Sequence, residues 1–221
     1  MRFELHLPGL LPIFLPRLWL VLLLGLPFGA LSMTASADDS ATILILGDSI
    51  SAAYNMEISQ SWPSLLQNRL EKDGHAYRVF NSSITGDTTQ GGLARLPRLL
   101  ERHHPAVVIL ELGGNDGLRG LPIEVTRSNL SSMIEKSQSI GARVILAEMR
   151  IPPNYGRTYT EKFNETYSLL VKQYGIDLLP FVLQDIALEP GLMQADGIHP
   201  TATAQPLILD RVWAVLGPML D

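Results

Sequence analysis

Cysteine is missing from all 221 residues. Its absence excludes a thiol nucleophile, disulfides, thiolate metal sites and a lipid-modified leader. It does not fix the compartment, because an exported protein can do without disulfides. The five histidines form neither His-x-His nor His-Glu-x-x-His, the spacings by which zinc hydrolases gather their ligands. Gly-Lys-Ser/Thr and Gly-x-Gly-x-x-Gly are also missing, so no loop is built to cradle a nucleotide phosphate. Charged residues make up only 18%, with a net charge of −5 and no basic run. That balance suits neither nucleic acid nor an anionic membrane surface, and any lipid substrate has to be captured by an apolar pocket. No aromatic-rich platform for sugars is evident.

One long apolar run is present, and it lies at the start. Arg2 and Arg17 flank a weakly charged opening, Leu18 to Leu24 begins a run reaching about Leu31, and Pro27 and Gly29 interrupt it. Ala35-Ser36-Ala37 supplies the small residues that a signal peptidase reads. Residues 1–37 are therefore expected to be a secretory leader, with the mature protein beginning near Asp38. Removing Arg2, Glu4 and Arg17 leaves 15 basic against 21 acidic residues, a net −6. The alternative is an uncleaved anchor, for which the run is short against the ~20 residues of a spanning helix.

The remaining length suits one domain, 38–221, with a sizeable core. Strand-length apolar runs alternate there with longer segments of helical period. Strands are expected at Thr42–Leu46, Tyr77–Asn81, Ala106–Leu110, Arg143–Ala147 and near Ile176–Leu179. Between them come a helix capped by Ser61 and stopped by Gly74, one carrying Leu93, Leu96, Leu99 and Leu100 in which Pro97 forces a kink or a later start, one from Pro122 to about Ser139, and one from about Thr160 to Tyr174. A last helix begins near Thr201, with Pro206 as an irregularity. This alternation predicts a single-domain α/β fold, a three-layer α/β/α sandwich around a mostly five-stranded parallel sheet of flavodoxin-like type.

In such sheets ligands sit beyond the carboxyl ends of the strands. Four short motifs fall at that edge or can reach it: Gly47-Asp48-Ser49, Gly86 in Ile84-Thr85-Gly86-Asp87, Gly113-Gly114-Asn115-Asp116, and Asp196-Gly197-Ile198-His199-Pro200. Asp196 and His199 are close enough in sequence to meet within one turn, and Ser49 would complete a nucleophilic triad. His199 stands next to a carboxylate at triad-like spacing; His6 lies in the leader, His75 follows a predicted helix, and His103-His104 precede Pro105 at a helix end. Gly86 and Asn115 supply the kinds of donor an oxyanion requires. A metal centre is the competitor, since Asp48, Asp87, Asp116 and Asp196 could gather at one edge. With no histidine cluster to join them, neither metal nor cofactor is expected. Asp48 and Asp116 could tie the turns together by hydrogen bonds, or equally be ordinary loop-capping carboxylates.

Taken together, the four blocks resemble the SGNH hydrolase (GDSL lipase/esterase) superfamily, and the likeness runs across nearly all of residues 41–216. The closer match, carried by Ile45–Ser49, Gly91–Pro97, Glu111–Gly120 and Asp196–Pro200, is to its bacterial periplasmic thioesterase/lysophospholipase and arylesterase members. No Gly-x-Ser-x-Gly elbow surrounds Ser49, which disfavours the α/β-hydrolase fold. The resemblance implies Ser49 as nucleophile, His199 as base and Asp196 as its orienting partner. It implies an oxyanion hole from the backbone N–H groups of Ser49 and Gly86 and the Asn115 amide. Two loops are expected to border the acyl site, with Leu118, Leu121, Ile151 and Pro152 as apolar walls. The implied activity is hydrolysis of small acyl esters and thioesters: aryl or short-chain esters, acyl-CoA and lysophospholipids. A monomer is expected, in the periplasm or outside the cell. A carbohydrate O-deacetylase, or a noncatalytic lipid- or glycan-binding domain of the same fold, is the alternative.

Overall fold

A computed structural model describes residues 40–220, so the expected leader lies outside the described residues. Strand β1 (Ala41–Gly47) is buried from Ile43 to Gly47, since it runs through the middle of the sheet. The others are β2 (Tyr77–Asn81), β3 (Val107–Glu111), β4 (Arg143–Ala147) and β5 (Asp177–Leu179). All pairings are parallel, in the order β2-β1-β3-β4-β5.

Side chains alternate across this sheet, and both faces are apolar. Ile43, Ile45, Val107, Ile109 and Ile145 pack with α1 (Trp62–Asp73) and α6 (Gln205–Leu216). Leu44, Leu46, Val108, Leu110, Val144 and Leu146 pack against α2 (Thr89–His103), α4 (Ile123–Ser139) and α5 (Arg157–Tyr174). On α1, Trp62, Leu66 and Leu70 recur every four residues and are almost fully buried. Each such side chain contributes about 1.5–3 kcal/mol. Gln205, itself buried, accepts the Trp62 N–H at 3.0 Å and so joins the starts of α6 and α1.

Several boundaries differ from the sequence expectation. Ser61 occupies the N-cap of α1, but its hydroxyl donates to the Ile58 carbonyl instead of capping the helix. Helix α2 starts at Thr89, capped by Thr88, and continues through Pro97, because Leu96 and Leu100 on either side are both buried. Pro206 falls in the first turn of α6, where a missing N–H costs nothing. A short helix, α3 (Gly114–Leu118), occupies what the sequence suggested was only a turn.

The strand order reverses at β1, whose connections leave toward β2 on one side while β3 lies on the other. The crevice at such a reversal is where open α/β sheets place their ligands. Ser49 follows β1 and Asn115 follows β3, so both stand at that crevice.

Candidate active site

The turn after β1 is shaped by what lies across from it. Gly47 pairs in register with Glu111, the last residue of β3. A Cβ on Gly47 would come within 2.4 Å of the Glu111 carboxylate, so only glycine fits. Glu111 in turn accepts the Asp48 N–H at 3.1 Å and the Ser51 hydroxyl at 2.7 Å. This buried acid anchors the chain on both sides of Ser49.

At the other end, the segment Met193–Pro200 closes on itself. Met193 and Pro200 form an antiparallel bridge, and Gln194 N–H donates to the His199 carbonyl at 2.8 Å. Gly197, at φ 68°, permits the sharp turn. Asp196 Oδ1 accepts the N–H groups of Ile198 and His199 at 2.9 and 3.0 Å, which leaves Oδ2 free to meet His199 Nδ1 at 2.7 Å. Those donors, the His199 backbone N–H foremost, hold the Asp196 carboxyl down at about 2, so it is ionised. Gln194 also reaches the loop beyond Ser49, donating to the Tyr54 carbonyl and accepting from Asn55. These bonds bring the segments that carry Ser49 and His199 together.

His199 Nε2 stands 2.9 Å from Ser49 Oγ. With Nδ1–H donated to ionised Asp196, Nε2 carries the lone pair that faces the serine hydroxyl. The Tyr54 ring lies against the imidazole, with centroids 4.1 Å apart.

Asn115, in the first turn of α3, donates from Nδ2 to Asp48 Oδ2 at 3.0 Å. An amide nitrogen has two hydrogens, so one remains for a substrate oxygen. Gly113 starts α3 at φ 113°, and a Cβ there would meet the Tyr167 hydroxyl at 2.1 Å. Gly86 sits at φ 75°, and Arg119, just past α3, donates to its carbonyl at 2.9 Å. Arg119 thereby ties the Gly86 turn to the helix carrying Asn115.

The four acidic residues that could have gathered around a metal go to separate partners. Asp48 takes Asn115, Asp87 pairs with Arg95, Asp116 is buried against Thr89 at the start of α2, and Asp196 takes His199. Asp48 and Asp116 are thus turn-tying carboxylates.

A cavity of about 440 Å³ opens at Ser49, His199 and Asn115. Leu118, Ile151 and Pro152 line it, and Ile50, Phe181, Leu183, Ala187, Met193 and Ile198 complete an apolar wall. Leu121 is not among the residues lining this cavity; its carbonyl accepts the Tyr159 hydroxyl at 2.7 Å. Gly86 borders the catalytic edge without lining this cavity.

Asp48, Glu111, Arg119 and Tyr54 emerge from the geometry and were not assigned site roles by the motifs. Gly47 was the available sequence signal for Glu111, since a glycine closing a buried strand marks a close approach from its neighbour.

Residues 45–205 match the family model described as GDSL-like Lipase/Acylhydrolase family. Esterase TesA of Pseudomonas aeruginosa is 48% identical over 194 residues, covering 87% of this chain and 96% of that protein. Thioesterase 1/protease 1/lysophospholipase L1 of Escherichia coli strain K12 is 44% identical, covering 94% of this chain and 93% of that protein. Among solved structures, the psychrotrophic esterase EstA from Pseudoalteromonas sp., inhibited by monoethylphosphonate, superimposes with a TM-score of 0.79 at 40% identity, covering 82% of this chain and 99% of the other. The chain belongs to the GDSL-like lipase/acylhydrolase family and is a hydrolase of ester bonds.

Proposed function

We propose that this protein hydrolyses acyl esters and thioesters through an acyl-enzyme formed on Ser49. Ser49 Oγ attacks the acyl carbonyl carbon as His199 Nε2 takes its proton. The carbonyl electron pair moves to oxygen, which accepts hydrogen bonds from the second amide hydrogen of Asn115 and from the backbone N–H groups of Ser49 and Gly86. Collapse of this intermediate breaks the bond to the leaving alkoxide or thiolate, which receives the proton from His199. Water then repeats the sequence in reverse and releases the acid. Asp196 holds the imidazole and stabilises its charged form throughout.

The unbroken line Ser49–His199–Asp196, at 2.9 and 2.7 Å, carries this reading. The apolar cavity beside it supports an acyl chain as the bound portion, with Leu118, Ile151 and Pro152 among its walls. Aryl or short-chain esters, acyl-CoA and lysophospholipids all present such an acyl group. The thioesterase and lysophospholipase names of the Escherichia coli relative favour the same range.

Export belongs to the proposal: residues 1–37 serve as leader, and the domain 38–221 works as a monomer in the periplasm or beyond it. Hydrolysis of p-nitrophenyl butyrate by Ser49→Ala, checked for native fold by circular dichroism, tests the assignment. Turnover should fall to the solution background. A folded variant with wild-type turnover would overturn it.

A further inference from the structure

Glu111 is a buried acid that the hydrolytic cycle leaves unused. Its Oε2 accepts from the Ser51 hydroxyl and the Asp48 N–H, and Ser51 in turn accepts the Trp62 indole N–H at 3.2 Å. Its Oε1 is just as buried and accepts from no N–H or O–H donor among the described residues. Asp48, also buried, accepts the Ile50 N–H on Oδ1 and the Asn115 amide on Oδ2. With Glu111 Oε2 3.1 Å from the Asp48 backbone nitrogen, the two acids are neighbours in one buried cluster. Two carboxyl oxygens can bond only with a proton between them.

We propose that Glu111 is a positioning residue: at neutral pH it holds that proton and donates it to ionised Asp48, which in turn fixes the Asn115 amide toward the oxyanion. The orphaned oxygen is then a donor with a partner, and the pair carries one negative charge in place of two. A second charge would oppose the oxyanion that Asn115 has to stabilise. Asp48 is the better home for the single charge, because it faces the cavity and the His199 imidazole, while Glu111 is sealed beneath the sheet edge.

Titration behaviour agrees. Burial, reinforced by the Asp48 charge, pushes the Glu111 carboxyl well above the carboxylate range, whereas Asp48 is raised to about 6, chiefly by burial. The other titratable groups facing the pair are His199 across the cavity and the Tyr167 phenol from α5, which burial keeps neutral. Ionisation of Glu111 therefore removes the donor that holds Asp48 and loosens Asn115.

The inference rests on the hydrolase reading of the site, but its decisive test needs no turnover. Infrared spectra of the folded wild-type protein at neutral pH should contain a neutral-carboxyl stretch that is lost in Glu111→Gln. In parallel, Glu111→Gln, whose amide can donate to Asp48 and accept from Ser51, should exceed Glu111→Ala in kcat by about tenfold or more at similar KM, on the scale of an oxyanion donor. Identical carboxyl bands in wild type and Glu111→Gln would overturn the proposal. So would a Glu111→Gln enzyme no better than Glu111→Ala. If the alanine variant does not fold, the infrared comparison decides alone.

Discussion

Asn115 gives one of its two amide hydrogens to Asp48, across 3.0 Å, and so has a fixed direction for the other. A side-chain donor that must not swing during the reaction needs this kind of tether, since an oxyanion is stabilised most by dipoles already in place. Asp48 is fixed in its turn by the Ile50 N–H and by the Glu111 side chain that accepts its backbone N–H.

Removing this donor gives the first prediction. Asn115→Ala should lower kcat on p-nitrophenyl esters by ~10²–10³, or roughly 2.7–4 kcal/mol of transition-state stabilisation, with KM little changed. A loss below tenfold in a folded variant would exclude Asn115 from the oxyanion hole.

Acid unfolding should report Asp196. Its carboxyl lies at about 2 in the folded protein against an ordinary 3.8, mainly because of the His199 N–H and ring. A group depressed on folding contributes stability above its unfolded value, and loses it as pH falls through the folded one. Wild-type stability should therefore drop between about pH 4 and 2, and Asp196→Asn should show a shallower drop in urea titrations across that window. Parallel curves for the two proteins would contradict the assignment.

The cavity wall makes a prediction about chain length. Ile151 is nearly buried, and its Cγ2 stands 2.5 Å from where a Gly117 Cβ would lie, so it is packed tightly between α3 and the cavity. Ile151→Ser should reduce kcat/KM for octanoyl esters by about tenfold, on the scale of losing two CH₂ groups of apolar contact, while acetyl esters change little. Equal losses on both substrates would place the acyl chain elsewhere.

The meeting of Ser49, His199 and Asp196 was legible in the sequence because Asp196 and His199 share one turn and Ser49 follows an unmistakable strand. The parallel sheet was legible for the same reason: Thr42–Leu46 and Val107–Leu110 are continuous apolar runs, as strands buried on both faces must be. Helix α3 was not legible, because five residues with two glycines have no helical propensity of their own; packing of Gly117 against Ile151 and Phe163 makes it. Phe181, Leu183, Ala187 and Met193 reach the cavity from an irregular stretch with no period to read. Glu111 ends an apolar strand, was given no role from the sequence, and is enclosed.

The central claim is that Ser49 becomes covalently acylated, and trapping it is the most direct measurement. Intact-protein mass spectrometry after treatment with a fluorophosphonate should show a single adduct, mapped by peptide sequencing to Ser49 and missing from both Ser49→Ala and heat-denatured protein. An adduct on any other residue, or unmodified protein that still turns over ester, would contradict the account.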